Sequence, residues 1–176
     1  HNTSPRGVRL NHLEELRDTL LEQDQFIPFT ARKVSALSRS AKISHEALRN
    51  GIDRSIGDTD NGAWIDLGSD CRYEFAAPER LHSVRIVFDS AKRMRNIEGI
   101  PEDDAERHVP GTIARDFRLE ILRSGKWELL RKIENNRKRY LRLTFAPVEA
   151  SGIRLIPERS WDPAAPRVHL FSFEVE

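Results

Sequence analysis

The sequence predicts an all-β protein, a sandwich or barrel of antiparallel strands with a short N-terminal helix. Three observations lead to this class. Segments in which apolar and polar residues alternate recur along most of the chain, which is typical of half-buried antiparallel strands. Turn residues separate these segments at short intervals, which indicates about eight strands in one sandwich or barrel. A single segment has the three- and four-residue apolar spacing of an amphipathic helix.

The composition limits the classes of partner. The chain has 176 residues, and 29 Lys and Arg against 28 Asp and Glu give a net charge of +1. This balance argues against nucleic acid or an anionic membrane as partner, because proteins that bind either one usually have a strong excess of basic residues. No apolar run approaches the roughly 18 residues of a membrane span. The single cysteine, Cys71, lies in a predicted strand, so we expect a buried structural thiol.

The helical segment lies at the N-terminus and ends before Pro28, which cannot continue a helix. Its apolar stripe consists of Leu10, Leu13, Leu16, Leu20 and Leu21. A lone helix of this length is marginal in water, so its stripe must cover its own domain or belong to a neighbouring one. We assign residues 1–30 to a helical linker or the tail of a preceding domain, and residues 31–176 to the sandwich. A start at His1 without methionine favours a piece of a longer protein.

The remaining segments are predicted in chain order from turn residues and alternation. Residues 29–38 are expected to be extended, and residues 44–49 to form one helical turn. Residues 50–62 are rich in Gly, Asp and Asn, which favour positive φ angles and Asx turns. The predicted strands are 71–75, 82–88, 117–122, 127–133, 140–145, 153–156 and 167–175.

Turn residues divide these strands. Pro78 separates the first two, and the pairs at 124–125, 135–136 and 151–152 mark later turns. Residues 157–166 form a predicted loop centred on Trp161. The interruption over residues 90–114 is too long for an ordinary hairpin, so it is either functional or a docking surface.

Several of these motifs together resemble the galactose-binding-like, or discoidin (coagulation factor 5/8 C-terminal, F5/8 type C), β-sandwich. They are a turn-rich loop ending in Trp64, the strand LHSVRIVF after Pro78, the hairpin FRLEILRSGKWELL, and the closing segment RVHLFSFEVE. The resemblance covers roughly residues 32–176 and implies a jelly-roll sandwich.

A narrower resemblance is to the C-terminal region of bacterial FAD-dependent oxidoreductases. It is carried by LEELRDTLLEQDQFIP, EALRNGIDRSIGDTDNGAWI and VRIVFDS. It implies a non-catalytic accessory module that stabilises a parent enzyme or docks onto it, with the preceding domain of the same polypeptide as partner. FAD would belong to the parent alone, since no G-x-G-x-x-G follows a strand here, and we expect no cofactor in this fragment. The compartment stays open between cytoplasm, periplasm and secretion.

The alternative function is a carbohydrate-binding module that targets a parent enzyme to glycans. Carbohydrate-binding members of the resembled family stack an aromatic ring on the sugar and bond its hydroxyls from loops at one end of the sandwich. Trp161 is the best candidate ring because polar residues and proline flank it, although a loop tryptophan of this kind can also be pinned over the end of the core. Trp64 and Trp127 fall where the pattern places core or strand residues. The candidate ligand-binding residues are Trp161, Asp162, Arg54, Asn135, Asn136 and His108.

No catalytic residues are predicted, so we do not expect the chain to be an enzyme on its own. It lacks a G-x-S-x-G motif, and its histidines fall in different elements without zinc-site spacing. The acidic run 102–106 next to His108 indicates a solvated loop better than a metal site. The basic residues of 131–142 alternate over two faces, which favours a solvated hairpin over a phosphate patch.

The discoidin resemblance also raises the question of a structural calcium ion. Many such sandwiches hold calcium between the turn-rich loop and a glutamate on the closing strand. Asp53, Asp58 and Asp60 are the candidate loop ligands. The position where the resemblance places the glutamate is Ser172, so we favour a sandwich without calcium.

Overall fold

A computed structural model of the chain describes residues 31–91 and 109–176. The expected N-terminal helix, most of the 90–114 interruption and His108 lie outside these residues. The elements are α1 (Ala36–Ser40), β1 (Lys42–Ile43), a 3-10 turn (Glu46–Arg49), β2 (Ala63–Asp66), β3 (Cys71–Phe88), β4 (Ala114–Arg123), β5 (Lys126–Ile133), β6 (Tyr140–Ser160) and β7 (Arg167–Val175).

Two long strands, β3 and β6, run through both layers of the sandwich. The start of β3 pairs with the end of β6, with Cys71 opposite Leu155, and the end of β3 pairs with the start of β6, with Val87 opposite Tyr140. The hydrogen-bonded order is β2–β7–β3–β6–β4–β5, with β1 on β3, and the pairs are antiparallel. One layer therefore holds β2, β7, the end of β3 and the start of β6. The other layer holds β1, β4, β5, the start of β3 and the end of β6. This is the predicted antiparallel sandwich.

The core lies between the two layers and takes the inward-facing residues of every long strand. Its largest fully buried side chains include Phe88, Phe117 and Phe173. Tyr73 also lies in the core, where its hydroxyl donates to the Phe173 carbonyl at 2.5 Å. Cys71 is buried beside these residues, and burial raises the pKa of its thiol well above the ordinary value. The expectation of a structural thiol is confirmed.

Two predicted strand breaks are wrong, because both lie inside continuous strands. Pro78 sits where the β3–β6 register shifts between Glu74 and Glu79, so its missing N–H interrupts no ladder bond. Gly152 pairs with Glu74 inside β6 instead of turning the chain. A Cβ at Gly152 would lie 2.8 Å from the Tyr73 carbonyl oxygen, so glycine serves a close approach of two strands.

Other turn predictions are confirmed. Ser124 and Gly125 have φ angles of 50° and 74° and close the tight hairpin between β4 and β5. The 3-10 turn Glu46–Arg49 appears where one helical turn was expected. The loop centred on Trp161 is shorter than predicted, because β6 continues to Ser160.

The segment before β1 departs from the prediction of an extended run. Residues Ala36–Ser40 form α1, because the Ser35 hydroxyl caps it by accepting the Ser38 N–H at 3.2 Å. The Ser35 hydroxyl donates to the Val175 carbonyl at 2.6 Å, which ties the segment to β7. No helix within the described ranges has the length and apolar character needed to cross a membrane.

Candidate functional site

Trp161 lies at the end of the sandwich where β4 begins and β5 and β6 end. Its half-buried ring packs against the core, and its indole Nε1 donates to the Asn136 carbonyl at 2.5 Å. Arg115 and Arg137 place their guanidinium carbons 4.9 Å and 5.7 Å from the centroid of the Trp161 ring. We call Arg115, Asn135, Asn136, Arg137 and Trp161 the Trp161 cluster.

The two asparagines hold the loop that carries this cluster. Asn136 is buried, and its side-chain amide donates to the carbonyls of Ala114 and Lys138, at 3.1 Å each. Asn135 has a φ angle of 53°, which asparagine tolerates better than most residues. Its side-chain oxygen accepts a hydrogen bond from Arg115 Nε at 3.1 Å. Asn136 therefore fixes the loop, and Asn135 orients Arg115.

The other predicted ligand-binding residues are placed differently. Asp162 follows Trp161 and is exposed, and its carboxylate accepts the Ala164 N–H at 2.9 Å. Arg54 lies in the loop before β2, where its carbonyl accepts a hydrogen bond from the Asn61 amide at 2.8 Å. The structure thus brings Trp161, Asn135 and Asn136 together, with Asp162 next in the chain.

The sequence interpretation missed both arginines of the cluster. Arg115 stands at the start of a strand, where no local motif marks it, and Arg137 was assigned to a solvated hairpin. That hairpin assignment is wrong for Arg139, which is buried and donates to the Asp53 carbonyl at 2.5 Å. Arg137 could have been predicted as a site residue because it directly follows Asn135 and Asn136 in the sequence.

The other two tryptophans lie in strands, as predicted, but Trp64 is not a core residue. It belongs to the edge strand β2 and is 43% exposed. Its ring centroid lies 4.5 Å from that of His169 and 4.4 Å from the guanidinium carbon of Arg167. Only one face of this sheet packs against the core. The side chain of Trp64 therefore remains in contact with solvent on β2, at the edge of the sheet.

The ring of Trp127, on β5, also contacts an arginine, but acidic side chains neutralise the charge of this arginine. The guanidinium carbon of Arg154 lies 4.4 Å from the Trp127 ring centroid. Arg154 forms ion pairs with Glu120 at 2.6 Å and with Asp70 at 3.3 Å. Burial alone would raise the pKa of Glu120, but hydrogen bonds from Arg154 and Arg118 outweigh burial and hold the pKa below its ordinary value.

A second polar group covers the outer face of β3 and β7. We call it the ion cluster, and it consists of Arg32, Asp53, Arg85, Ser172 and Glu174. Asp53 accepts hydrogen bonds from Arg32 at 2.9 Å, Arg85 at 2.8 Å and Ser172 at 2.5 Å. Glu174 accepts from Arg32 at 2.8 Å and from Arg85 at 3.4 Å. The two carboxylates therefore share two guanidinium groups.

The electrostatic balance of the ion cluster favours the charged forms. Asp53 is only 1% exposed, and burial alone would raise its pKa. Hydrogen bonds from Arg32, Arg85 and Ser172 outweigh burial and hold the pKa of Asp53 well below its ordinary value. Burial would likewise lower the pKa of Arg32, but the bonds to Glu174 and Asp53 raise it.

The ion cluster occupies the place where the discoidin resemblance puts calcium, and its residues do not fit that ion. Asp53 reaches the closing strand, where its carboxylate accepts a hydrogen bond from Ser172 at 2.5 Å and shares Arg32 and Arg85 with Glu174. Calcium needs six to eight oxygen ligands, whereas here two guanidiniums lie between the carboxylates. Asp60 pairs instead with His169 at 2.9 Å, and Asp58 is exposed. Within the described residues no group of three His, Cys, Asp or Glu is placed to hold a metal.

Comparisons with known proteins bear on the fold. No protein-family model matches the sequence, and no curated protein matches it significantly. The family 32 carbohydrate-binding module of Streptococcus pneumoniae EndoD superposes with a TM-score of 0.57 at 16% identity, over 81% of this chain and 99% of that module. The GH31 CBM32-2 module bound to GalNAc gives 0.50 at 15% identity, over 81% and 95% of the two chains.

A third similar structure is chitosan-binding module 2 of a chitosanase/glucanase from Paenibacillus sp. IK-5, in complex with chitotriose. Its TM-score is 0.50 at 13% identity, over 80% of this chain and 97% of that module. At these identities the similarity shows the fold alone, which is the antiparallel β-sandwich that the sequence predicts. The comparisons hold nothing that tests the resemblance to FAD-dependent oxidoreductases, which stays a prediction.

Proposed function

We propose that this domain is a non-catalytic carbohydrate-binding module, and that it attaches a parent enzyme to a saccharide through the Trp161 cluster. The observation that carries the proposal is the cluster itself. It sets an indole ring among the polar side chains of Arg115, Asn135 and Arg137 at one end of the sandwich. A saccharide presents apolar C–H faces and hydroxyl edges, so an aromatic ring beside hydrogen-bonding groups suits it chemically.

The rigidity of the cluster supports a binding role. The indole is fixed by its bond to the Asn136 carbonyl, and Asn136 is itself held by bonds to two backbone carbonyls. Arg115 is oriented by Asn135. Groups that are already fixed lose little conformational entropy on binding, which matters for a ligand as hydrated as a sugar.

The similar solved structures support the same proposal from another direction. Those described above are carbohydrate-binding or chitosan-binding modules, and two of them hold GalNAc or chitotriose. Modules that share this fold therefore bind saccharides. We accordingly prefer carbohydrate binding to docking onto a parent enzyme as the primary role of the domain.

The test is a titration of the purified domain on a glycan array and by calorimetry, with GalNAc and chitotriose among the probes. We expect the wild type to bind at least one saccharide and Trp161→Ala to lose that binding. Trp64→Ala is the matched control, because it removes the same side chain from an exposed site on β2. Binding that disappears in Trp64→Ala but persists in Trp161→Ala would overturn the proposal, and so would a wild type that binds no saccharide.

The parent enzyme is a separate question. The narrower resemblance predicts an FAD-dependent oxidoreductase, with this domain as its C-terminal accessory module. The sequence of the gene upstream of His1 tests that prediction, because a flavin-binding fold either precedes the domain or does not.

A further inference from the structure

The arginines of the Trp161 cluster differ from most other arginines of the described residues, because they form no ion pair. Arg115 and Arg137 take part in none of the ion pairs formed among residues 31–91 and 109–176, whereas Arg118, on the same strand as Arg115, pairs with Glu120 and Glu158 at 3.1 Å each. The bond that Arg115 makes through Nε goes to Asn135, a neutral amide. The cluster therefore presents two positive charges without a carboxylate of the described chain against them.

The acidic side chains next to the cluster in sequence are bonded to other groups. Glu134 forms an ion pair with Lys132 at 3.3 Å. Asp116 is buried, accepts the Asn135 N–H at 3.0 Å and lies 3.5 Å from Arg159. Asp162 is bonded to the Ala164 N–H inside its own turn. None of these carboxylates lies within ion-pair distance of Arg115 or Arg137, so no carboxylate of residues 31–91 or 109–176 cancels the two positive charges.

Both arginines of the cluster contact the same indole ring. Both guanidinium carbons lie within 6 Å of one ring centroid, at the range of a cation–π contact. An anion that reaches both guanidinium groups would be attracted by both charges. Guanidinium groups also match carboxylate and sulfate oxygens with paired N–H donors, which makes arginine well suited to these anions.

We propose that the saccharide recognised by the Trp161 cluster carries an anionic substituent, a carboxylate or a sulfate ester, which Arg115 and Arg137 bind together. The inference rests on the proposed function and names the ligand class of the same site. Arg115, half-buried and held by Asn135, fixes the position of the anion, and the exposed Arg137 closes on it from the loop. The sugar ring lies beside Trp161.

Matched pairs of ligands test this proposal by calorimetry. Trigalacturonic acid is compared with its neutral methyl ester, and GalNAc 4-sulfate with GalNAc. We expect the charged member of at least one pair to bind about tenfold tighter than its neutral partner. This is the gain in affinity expected from charge-assisted hydrogen bonds. This advantage should shrink as salt is added, because the guanidiniums lie near the surface.

Variants locate the effect. Arg115→Ala and Arg137→Ala should each remove the preference for the charged ligand, and Arg115→Lys should restore only part of it, since lysine lacks the paired donors. Arg123→Ala is the matched control, because it removes the same charge from the far end of β4 and should change nothing. Circular dichroism spectra of the variants are compared with that of the wild type to check that each variant is folded.

The outcomes separate the two levels of the account. Equal affinity for charged and neutral saccharides, both lost in Trp161→Ala, would overturn the anionic class and leave carbohydrate binding standing. No binding of any saccharide would overturn both. Inorganic sulfate binding as tightly as GalNAc 4-sulfate, or an Arg123→Ala effect equal to that of Arg115→Ala, would overturn the assignment of an anionic saccharide to this cluster.

Discussion

The ion cluster and the Trp161 cluster each contain two arginines, but the groups that these arginines contact are different. In the ion cluster, Arg32 and Arg85 face the carboxylates of Asp53 and Glu174, and the charges cancel inside the protein. In the Trp161 cluster the arginines face an aromatic ring and a neutral amide instead. The first arrangement is complete without a ligand, whereas the second keeps its donors available to one.

Trp127 shows that the difference does not come from the aromatic ring. Arg154 lies over Trp127 much as Arg115 lies over Trp161, but Arg154 is paired with Glu120 and Asp70. The acidic partners, and not the tryptophan, decide whether an arginine stabilises the fold or remains available for binding. Substitutions in the two kinds of cluster should accordingly have effects of different kinds and sizes.

The largest effect is expected in the ion cluster. Asp53→Ala leaves the partly buried guanidiniums of Arg32 and Arg85 with one carboxylate, Glu174, instead of two. Removing one partner of a buried ion pair costs about 3–5 kcal/mol. Arg115→Ala, at an exposed end of the sandwich, should cost less than about 1 kcal/mol. Urea unfolding measures both. Equal losses of unfolding free energy in the two variants would contradict the distinction between the clusters.

An intermediate effect is expected from Asn136→Ala. The substitution leaves buried carbonyls without donors, which costs about 1–3 kcal/mol, and it releases the loop that holds Trp161. Saccharide binding should therefore weaken because the side chain of Asn136 holds the loop in place. Urea unfolding and calorimetry report the two consequences. Undiminished affinity in a destabilised Asn136→Ala variant would show that the loop does not position the ring.

Acid should remove the contribution of Asp53 to the stability of the fold. The pKa of Asp53 is lower in the folded than in the unfolded protein, so the unfolded chain takes up the proton first. The contribution of Asp53 is complete above its ordinary pKa of about 3.9 and is lost as pH falls from there toward the folded pKa. Urea midpoints between about pH 2 and pH 6 should therefore depend on pH less steeply in Asp53→Asn than in the wild type. Parallel profiles would contradict the role given to Asp53.

The smallest expected effect is that of calcium. Because guanidiniums lie between the carboxylates of the ion cluster, added calcium or a chelator should shift the melting temperature by less than about 1 °C. Differential scanning calorimetry with each addition checks this. A rise of several degrees with calcium would mean that a cation site exists and that the ion cluster has been misassigned.

Much of the fold was predictable because alternation is a local signal. The β4–β5 hairpin follows directly from the pattern around Ser124 and Gly125. Gly152 misled for a reason the sequence does not contain: it allows β6 to approach Tyr73, a residue far away in the chain.

The site was less predictable, because its parts come from three separated segments. Trp161 and the Asn135–Asn136 turn were recognisable as an exposed aromatic and a turn. Arg115 became part of the site only through strand pairing that brings the start of β4 beside the end of β6. Likewise, the arginines that stand where calcium was considered come from distant segments, and only the structure shows that they meet Asp53.

The central claim, that a saccharide binds at Trp161, is tested most directly by the indole N–H signals of the protein's three tryptophans in one NMR spectrum. After assignment with single variants, the domain is titrated with a saccharide that it binds by calorimetry. Our account predicts that the Trp161 signal shifts with ligand concentration while those of Trp64 and Trp127 stay in place. A titration that moves the Trp64 or Trp127 signal and leaves Trp161 unchanged would contradict it.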